Sequence, residues 1–222
     1  MKKARIGIFG GTFNPIHAGH LRAAEIVQKK FLLDKILFIP SYIPPHKESV
    51  DMASPSDRLK MVELACAPYP RFMPSPIEIE AQEKSYSIIT LEKIEKMYPE
   101  TWLFFILGID AFLEIETWKD YEELLNRCSF IVISRQGYRL KKAKDVLEGP
   151  YKERMYEFPE SDKSGETETG LFFSYRIFLL PIDSLNIAST EIRRRAKKGI
   201  SIKGLVPESV EVYLEENRLY QS

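Results

Sequence analysis

Short apolar runs, each closed by glycine, proline or a polar turn, alternate along this chain with longer stretches whose apolar residues recur every three or four positions. The first pattern predicts buried strands and the second predicts amphipathic helices. Ala4 to Phe9 is the first strand and runs into Gly10-Gly11. Ala18 to Phe31 follows as a helix carrying Leu21, Ala24, Val27 and Phe31 at near-helical spacing. Lys35 to Pro40 (KILFIP) is a second strand. Ser54-Pro55-Ser56-Asp57 opens a second helix, because proline at the first helical position gives up an N–H that has no partner there anyway. Ile77 to Ile79 reads as strand, Ser87 to Tyr98 as a helix stopped by Pro99, and Trp102 to Leu107 (WLFFIL) as the most apolar strand. Tyr121 to Asn126 and Leu140 to Leu147 read as helices, with Phe130 to Ser134 and Arg176 to Leu180 as strands. Ser189 is expected to cap a helix running through Lys198, and Pro207 to open a terminal helix.

Strands that are apolar along their whole length belong in a parallel sheet covered on both faces by helices. The fold expected is therefore α/β, a Rossmann-like doubly wound parallel sheet. Residues 1–222 are read as a single domain, with a flexible insertion at about 150–175 and a small helical part at about 187–222. The stretch 159–170 (PESDKSGETETG) has no apolar period and carries the flexible character of that insertion. Folds of this class bind ligands at the carboxyl ends of their strands, which directs the search for chemistry.

Composition narrows the function classes. Lys plus Arg and Asp plus Glu are both 32, so the formal charge is zero, and a protein whose main task is coating nucleic acid is excluded. The two cysteines, Cys66 and Cys128, form no CxxC or Cys/His cluster, which points to a reducing cytoplasmic setting without structural zinc or disulfides. No run approaches the roughly 18 apolar residues of a membrane span, and the apolar run after Met1-Lys2-Lys3 is too short for a signal core.

The sharpest chemical signal is Gly10-Gly11-Thr12-Phe13-Asn14-Pro15-Ile16-His17-Ala18-Gly19-His20, which leaves a strand and enters a helix. Backbone amides and the helix dipole favour phosphate at such a point. The glycine pair lets the main chain approach a ligand, and His17 and His20, three apart, lie on one side of the first turn. Gly19 between them leaves space that a side chain would fill. The lysine and Ser/Thr of a P-loop are missing, as is the spacing of G-x-G-x-x-G. A second phosphate-type element is Ser189-Thr190-Glu191-Ile192-Arg193 at a helix start, and a third is Gly108-Ile109-Asp110, whose carboxylate can accept from ribose hydroxyls or cap a helix.

GGTFNPIHAGH resembles the signature of the HxGH nucleotidylyltransferases, and in particular of bacterial nicotinate mononucleotide adenylyltransferases. The resemblance implies transfer of AMP from ATP to nicotinate mononucleotide, with Mg²⁺ accompanying ATP. It assigns His17, His20 and Arg193 to charge stabilisation as pyrophosphate leaves. It assigns Gly10, Gly11, Thr12, Phe13, Gly19, Gly108, Asp110, Ser189 and Thr190 to ATP. On the acceptor side, Pro44-Pro45-His46-Lys47, Tyr86, Trp118 and Arg135 match family positions, so His46, Lys47, Tyr86, Trp118 and Arg135 are implied acceptor contacts. Read without the resemblance, Trp118 is equally a core residue and Arg135 a solvated one. RLKMVELA, with Arg58 and Met61, belongs to the same likeness, which spans about residues 4–135 and 176–215. Three positions depart from it: Ser87 mildly, in place of threonine, Ile89 where relatives have a carboxylate, and Lys119 where they often have an aromatic.

The chemistry implied needs no protein base. A phosphate monoester is largely dianionic at pH 7 and is itself the nucleophile. The work left to the protein is positioning and charge stabilisation, which suits a chain rich in cations and amides but without a Ser–His–Asp arrangement. Nicotinamide mononucleotide differs from the nicotinate acceptor by one amide, and the residues leave both open. A phosphopantetheine acceptor fits less well, because that family has threonine where His17 stands. A nucleotide-binding regulator without catalysis would have no need of both histidines together with Arg193. Homo-oligomer formation is left open by the sequence.

Overall fold

The computed structural model describes residues 3–44, 51–135, 137–159, 170–174, 176–183, 185 and 187–221. Elements follow in the order β1 (Arg5–Gly11), α1 (Ala18–Phe31), β2 (Lys35–Pro40), α2 (Pro55–Cys66), β3 (Phe72–Pro74), α3 (Ile77–Ala81), α4 (Ser87–Met97), β4 (Trp102–Gly108), α5 (Ile109–Phe112), α6 (Tyr121–Arg127), β5 (Ser129–Ile133), α7 (Pro150–Glu153), β6 (Met155–Glu157), α8 (Leu171–Ser174), β7 (Ile177–Leu180), α9 (Ser189–Lys197) and α10 (Glu208–Glu216). The strands form one sheet in the order β3-β2-β1-β4-β5-β7-β6, and the pairs β1–β4, β4–β5, β5–β7 and β7–β6 are parallel. With helices between the strands this is the expected Rossmann-like α/β fold.

The chain divides into two compact units. One comprises Met1–Gly10, Ala23–Ile36 and Tyr86–Ser184; the other comprises Gly11–Arg22, Leu37–Ser85 and Leu185–Ser222. The first holds the parallel ladder of β1, β4, β5, β7 and β6, in register Phe9↔Ile106 and Gly108↔Ile133. Every residue of β5 and β7 is buried, which is why these strands read as unbroken apolar runs. Phe31 packs on Phe104, Phe158, Phe172 and Phe178 with centroids 5.3–5.9 Å apart. Each such pair adds about 0.5–1.5 kcal/mol beyond its buried area.

In the second unit α10 packs on α2, and Tyr213 Oη donates to Asp57 Oδ1 at 2.8 Å. Phe38 packs on Phe72 and Phe13. Ser54 caps α2 as expected, accepting from Asp57 N. No helix among the described residues is long and apolar enough to cross a membrane.

The structure differs from the sequence pattern at four places. Ile77 to Ile79 is helical, not extended: Glu80 N–H bonds Pro76 O, and the strand in this region is β3, whose continuation ends once Ser75 N–H has bonded Phe38 O and Pro76 has no N–H to offer. Leu140–Asp145 is a 3₁₀ helix rather than an α-helix. Between 150 and 159, β6 pairs with β7 and buries Met155 and Phe158. Ser189 is the first residue of α9 and not its cap, which is Ala188. Residues 160–169 of the polar stretch lie outside the described residues.

Candidate active site

The second unit contains the histidine motif. After β1 the chain turns at Phe13, whose φ of 47° is left-handed, a conformation costing a bulky L-residue about 1–2 kcal/mol. Something must hold it there. The Phe13 ring is buried, edge-on to His20 at 5.1 Å, and the Thr12 carbonyl accepts from Arg58 Nη1 at 2.9 Å. The Asn14–Pro15 peptide is cis, and α1 then begins at Ala18 with its N–H on Leu205 O.

His17 and His20 are stacked, with centroids 3.6 Å apart and planes at 24°. The main-chain N–H of His17 donates to His20 Nδ1 at 3.3 Å. That bond occupies the Nδ1 lone pair, so the proton of a neutral His20 ring sits on Nε2 and makes that atom a donor. The first turn of α1 carries no acidic residue that would oppose an anion. A Cβ on Gly19 would lie 3.1 Å from the His17 ring and 3.4 Å from Leu185 O. Gly19 thus borders the His17 imidazole, which a side chain at that position would crowd.

Asn14 joins three segments. Its Oδ1 accepts from Ala53 N (3.0 Å) and Tyr220 Oη (2.5 Å), its Nδ2 donates to Asp51 O (3.1 Å), and its main-chain oxygen accepts from Arg193 Nη1 (2.8 Å). Ser189 Oγ donates to Pro15 O at 3.0 Å. Ser189 and Arg193 are therefore fastened directly to the histidine loop, and Thr190 is exposed beside them. Arg194 and Arg195 turn to Glu191 instead, at 2.7–2.8 Å, holding that carboxyl down at about 2, chiefly through Arg194. Burial pushes the Tyr220 phenol above its ordinary value, against the pull of Arg193 and Arg58.

The first unit holds Gly10, Tyr86, Gly108, Asp110, Trp118 and Arg135. Gly10 and Gly108 stand at the carboxyl ends of the paired strands β1 and β4. A Cβ on Gly108 would lie 2.8 Å from Arg135 Nε and closer still to Asp110 Oδ1, so only glycine lets these two side chains close over the strand end. Asp110 Oδ1 lies 3.4 Å from Arg135 Nε. Asp110 sits inside α5, whose N-cap is Gly108, which removes the capping reading of its carboxylate. Trp118 is only half-buried, edge-on to Phe105 at 6.0 Å, and so is not a core tryptophan. Lys119 Nζ lies 5.1 Å over the Tyr86 ring. His46 and Lys47 lie outside the described residues.

Residues 8–195 match the cytidylyltransferase-like family model. A protein of Desulfatibacillum aliphaticivorans named probable nicotinate-nucleotide adenylyltransferase is 44% identical over 218 residues, covering 97% of this chain and 99% of that one. The chain belongs to the nicotinate-nucleotide adenylyltransferase family. A family member of Desulfitobacterium hafniense strain Y51, bearing the same name, is 40% identical, covering 98% of this chain and 96% of its own. The fold is shared with Plasmodium falciparum nicotinic acid mononucleotide adenylyltransferase solved with NaAD, at TM-score 0.71 and 18% identity, covering 98% and 97% of the two chains.

Sequence reasoning missed the hub role of Asn14 and the part played by Tyr220. Asn14 stands inside the motif it had singled out, but Tyr220 carries no local signal at all.

Proposed function

We propose that this chain transfers AMP from ATP to nicotinate mononucleotide, giving nicotinate adenine dinucleotide and pyrophosphate in NAD biosynthesis. The observation that carries this reading is the fastening of Ser189 and Arg193 to the loop that presents His17 and His20. A phosphate oxygen of the acceptor attacks the α-phosphorus of ATP, and the bond from that phosphorus to the α,β-bridging oxygen breaks. Negative charge grows on the departing pyrophosphate. His20 Nε2–H, Arg193 and the amides near Thr12 and Phe13 are assigned to that charge, and His17 to the same phosphates. Gly108 and Asp110 are assigned to the adenosine ribose, with Gly10, Gly11, Gly19, Ser189 and Thr190 lining the ATP path.

Mg²⁺ accompanying ATP would offset phosphate charge and, since it dehydrates reluctantly, would need few protein carboxylates to hold it. Tyr86, Trp118 and Arg135, with His46 and Lys47, are assigned to the acceptor. Lys119 supports nicotinate over nicotinamide, because an ammonium held over Tyr86 favours a carboxylate over an amide. We place the reaction in the cytoplasm, on the evidence of two cysteines that are both free and buried, and read residues 1–222 as one catalytic domain.

The test is pyrophosphate release from ATP with nicotinate mononucleotide, nicotinamide mononucleotide and phosphopantetheine offered in turn. Highest kcat/KM with nicotinate mononucleotide is expected. Faster turnover of either other acceptor would reassign the substrate, and no release with any of them would end the enzymatic reading.

A further inference from the structure

Arg58, in the first turn of α2, is fully buried. A guanidinium in such a place ordinarily meets a carboxylate. Here its hydrogen bonds go to four main-chain carbonyls. Nε donates to Ala53 O (3.1 Å), Nη1 to Thr12 O (2.9 Å) and Ser41 O (2.5 Å), and Nη2 to Tyr42 O (3.1 Å). Burial lowers its proton affinity, and the Glu78 carboxylate works against that. The four acceptors come from the histidine loop, the chain just after β2, and the approach to α2.

One of these bonds has a chemical consequence. In a trans peptide the C=O and N–H point in opposite directions. Drawing the Thr12 carbonyl onto Arg58 therefore turns the Phe13 N–H away from the buried guanidinium, and it does so at the residue held at a φ of 47°. A positive charge in a poorly solvated site also polarises the peptide it binds, making the opposite N–H a stronger donor. Lysine could keep the charge but not the planar set of donors that reaches four carbonyls.

We propose that Arg58 is the positioning residue of the phosphate-binding loop: from beneath, it fixes and polarises the Thr12–Phe13 peptide so that the Phe13 N–H is presented to a phosphate anion. This rests on the reading that the histidine loop takes the ATP phosphates. Arg58 itself touches no substrate in this assignment.

The experiment measures binding of inorganic pyrophosphate and of adenosine by calorimetry, with wild type and Arg58→Lys, alongside thermal melts. Pyrophosphate binding is expected to weaken about tenfold, on the scale of losing one aligned charge-assisted donor, while adenosine binding stays within about twofold. A purely structural role would weaken both ligands together, and that result, or unchanged pyrophosphate binding, overturns the proposal. Should Arg58→Lys not fold, full-length chain carrying the α-hydroxy acid in place of Phe13 removes the N–H and weakens the Thr12 carbonyl as an acceptor, leaving the Arg58 side chain in place. About tenfold weaker pyrophosphate binding is again expected, and no change overturns the proposal. If wild type binds adenosine but no pyrophosphate, the phosphate reading of the loop falls as well, whereas normal wild-type binding with an unaffected variant defeats only the role of Arg58.

Discussion

The histidine loop and the end of β4 are built in opposite ways. Around the loop, polar groups are tied by hydrogen bonds between residues far apart in sequence: Asn14 to Ala53 and Tyr220, Arg193 to Asn14, Ser189 to Pro15, Arg58 to Thr12. At the end of β4, Asp110 and Arg135 meet in a 3.4 Å ion pair whose arginine is 46% exposed, and Lys119 covers Tyr86 from an exposed position. Groups that must meet developing charge gain from being fixed beforehand, since no reorganisation is then needed during the reaction. Groups that select a ligand can adjust at little cost. Variants of the loop should therefore move kcat, and variants of the strand end should move KM and selectivity.

The sharpest break of this contrast is His20→Ala. We expect turnover to fall on the order of 10²–10³ with folding intact, as for loss of one transition-state donor; steady-state pyrophosphate release beside a circular dichroism melt tests it, and unchanged kcat would remove His20 from the chemistry. Next is Lys119→Gln, expected to narrow the preference for nicotinate over nicotinamide mononucleotide by about tenfold, the worth of roughly 1.4 kcal/mol, with kcat on the better acceptor little changed. Competition between the two acceptors in one reaction reads that ratio directly.

Tyr220→Phe removes one hydrogen bond from Asn14 and should cost about 1 kcal/mol of stability at neutral pH, measured by urea unfolding. The same variant tests a pH dependence. Because burial raises the folded-state value of Tyr220 above the ordinary value of 10.0, the folded chain holds that proton more tightly than the unfolded chain does. Its stabilisation is complete below about pH 10 and is lost as pH climbs through the folded-state value. Tyr213, pushed up to about 12 mainly by burial and then by its bond to Asp57, acts in the same sense. Unfolding curves at pH 8 and pH 11 should show a smaller alkaline loss in Tyr220→Phe than in wild type. The smallest effect is expected of Asp110→Asn on stability, under about 1 kcal/mol for a pair this exposed, while KM for ATP rises several-fold; a fall in kcat with constant KM would place Asp110 with the loop residues instead.

Much of this was legible in the chain because it depends on neighbours. The apolar runs of β1, β2, β4, β5 and β7 are visible because strands buried on both faces must be apolar throughout. His17 and His20 are three residues apart at the opening of α1, so the turn that leads into the helix settles their proximity. Ile77 to Ile79 shows where local pattern misleads: alternation of Ile and Glu suits a strand, but three residues are too few to tell period two from period 3.6, and the prolines on either side of Ser75 decided the outcome. Ser189 was placed in the right element with the wrong bond, since a hydroxyl at a helix start serves whichever acceptor the fold brings to it, here Pro15 O at a separation of 174 residues.

By itself, then, the sequence determined the parallel α/β fold, the histidine pair and the family resemblance, all of which follow from short-range periodicity and spacing. Tertiary structure alone decided that a buried arginine would serve the loop from beneath, that a tyrosine near the end of the chain would hold Asn14, and that Asp110 would face Arg135. Those contacts join residues 25 to 206 positions apart. A hydrogen bond has no sequence period, and its partner is set only when distant segments are packed together.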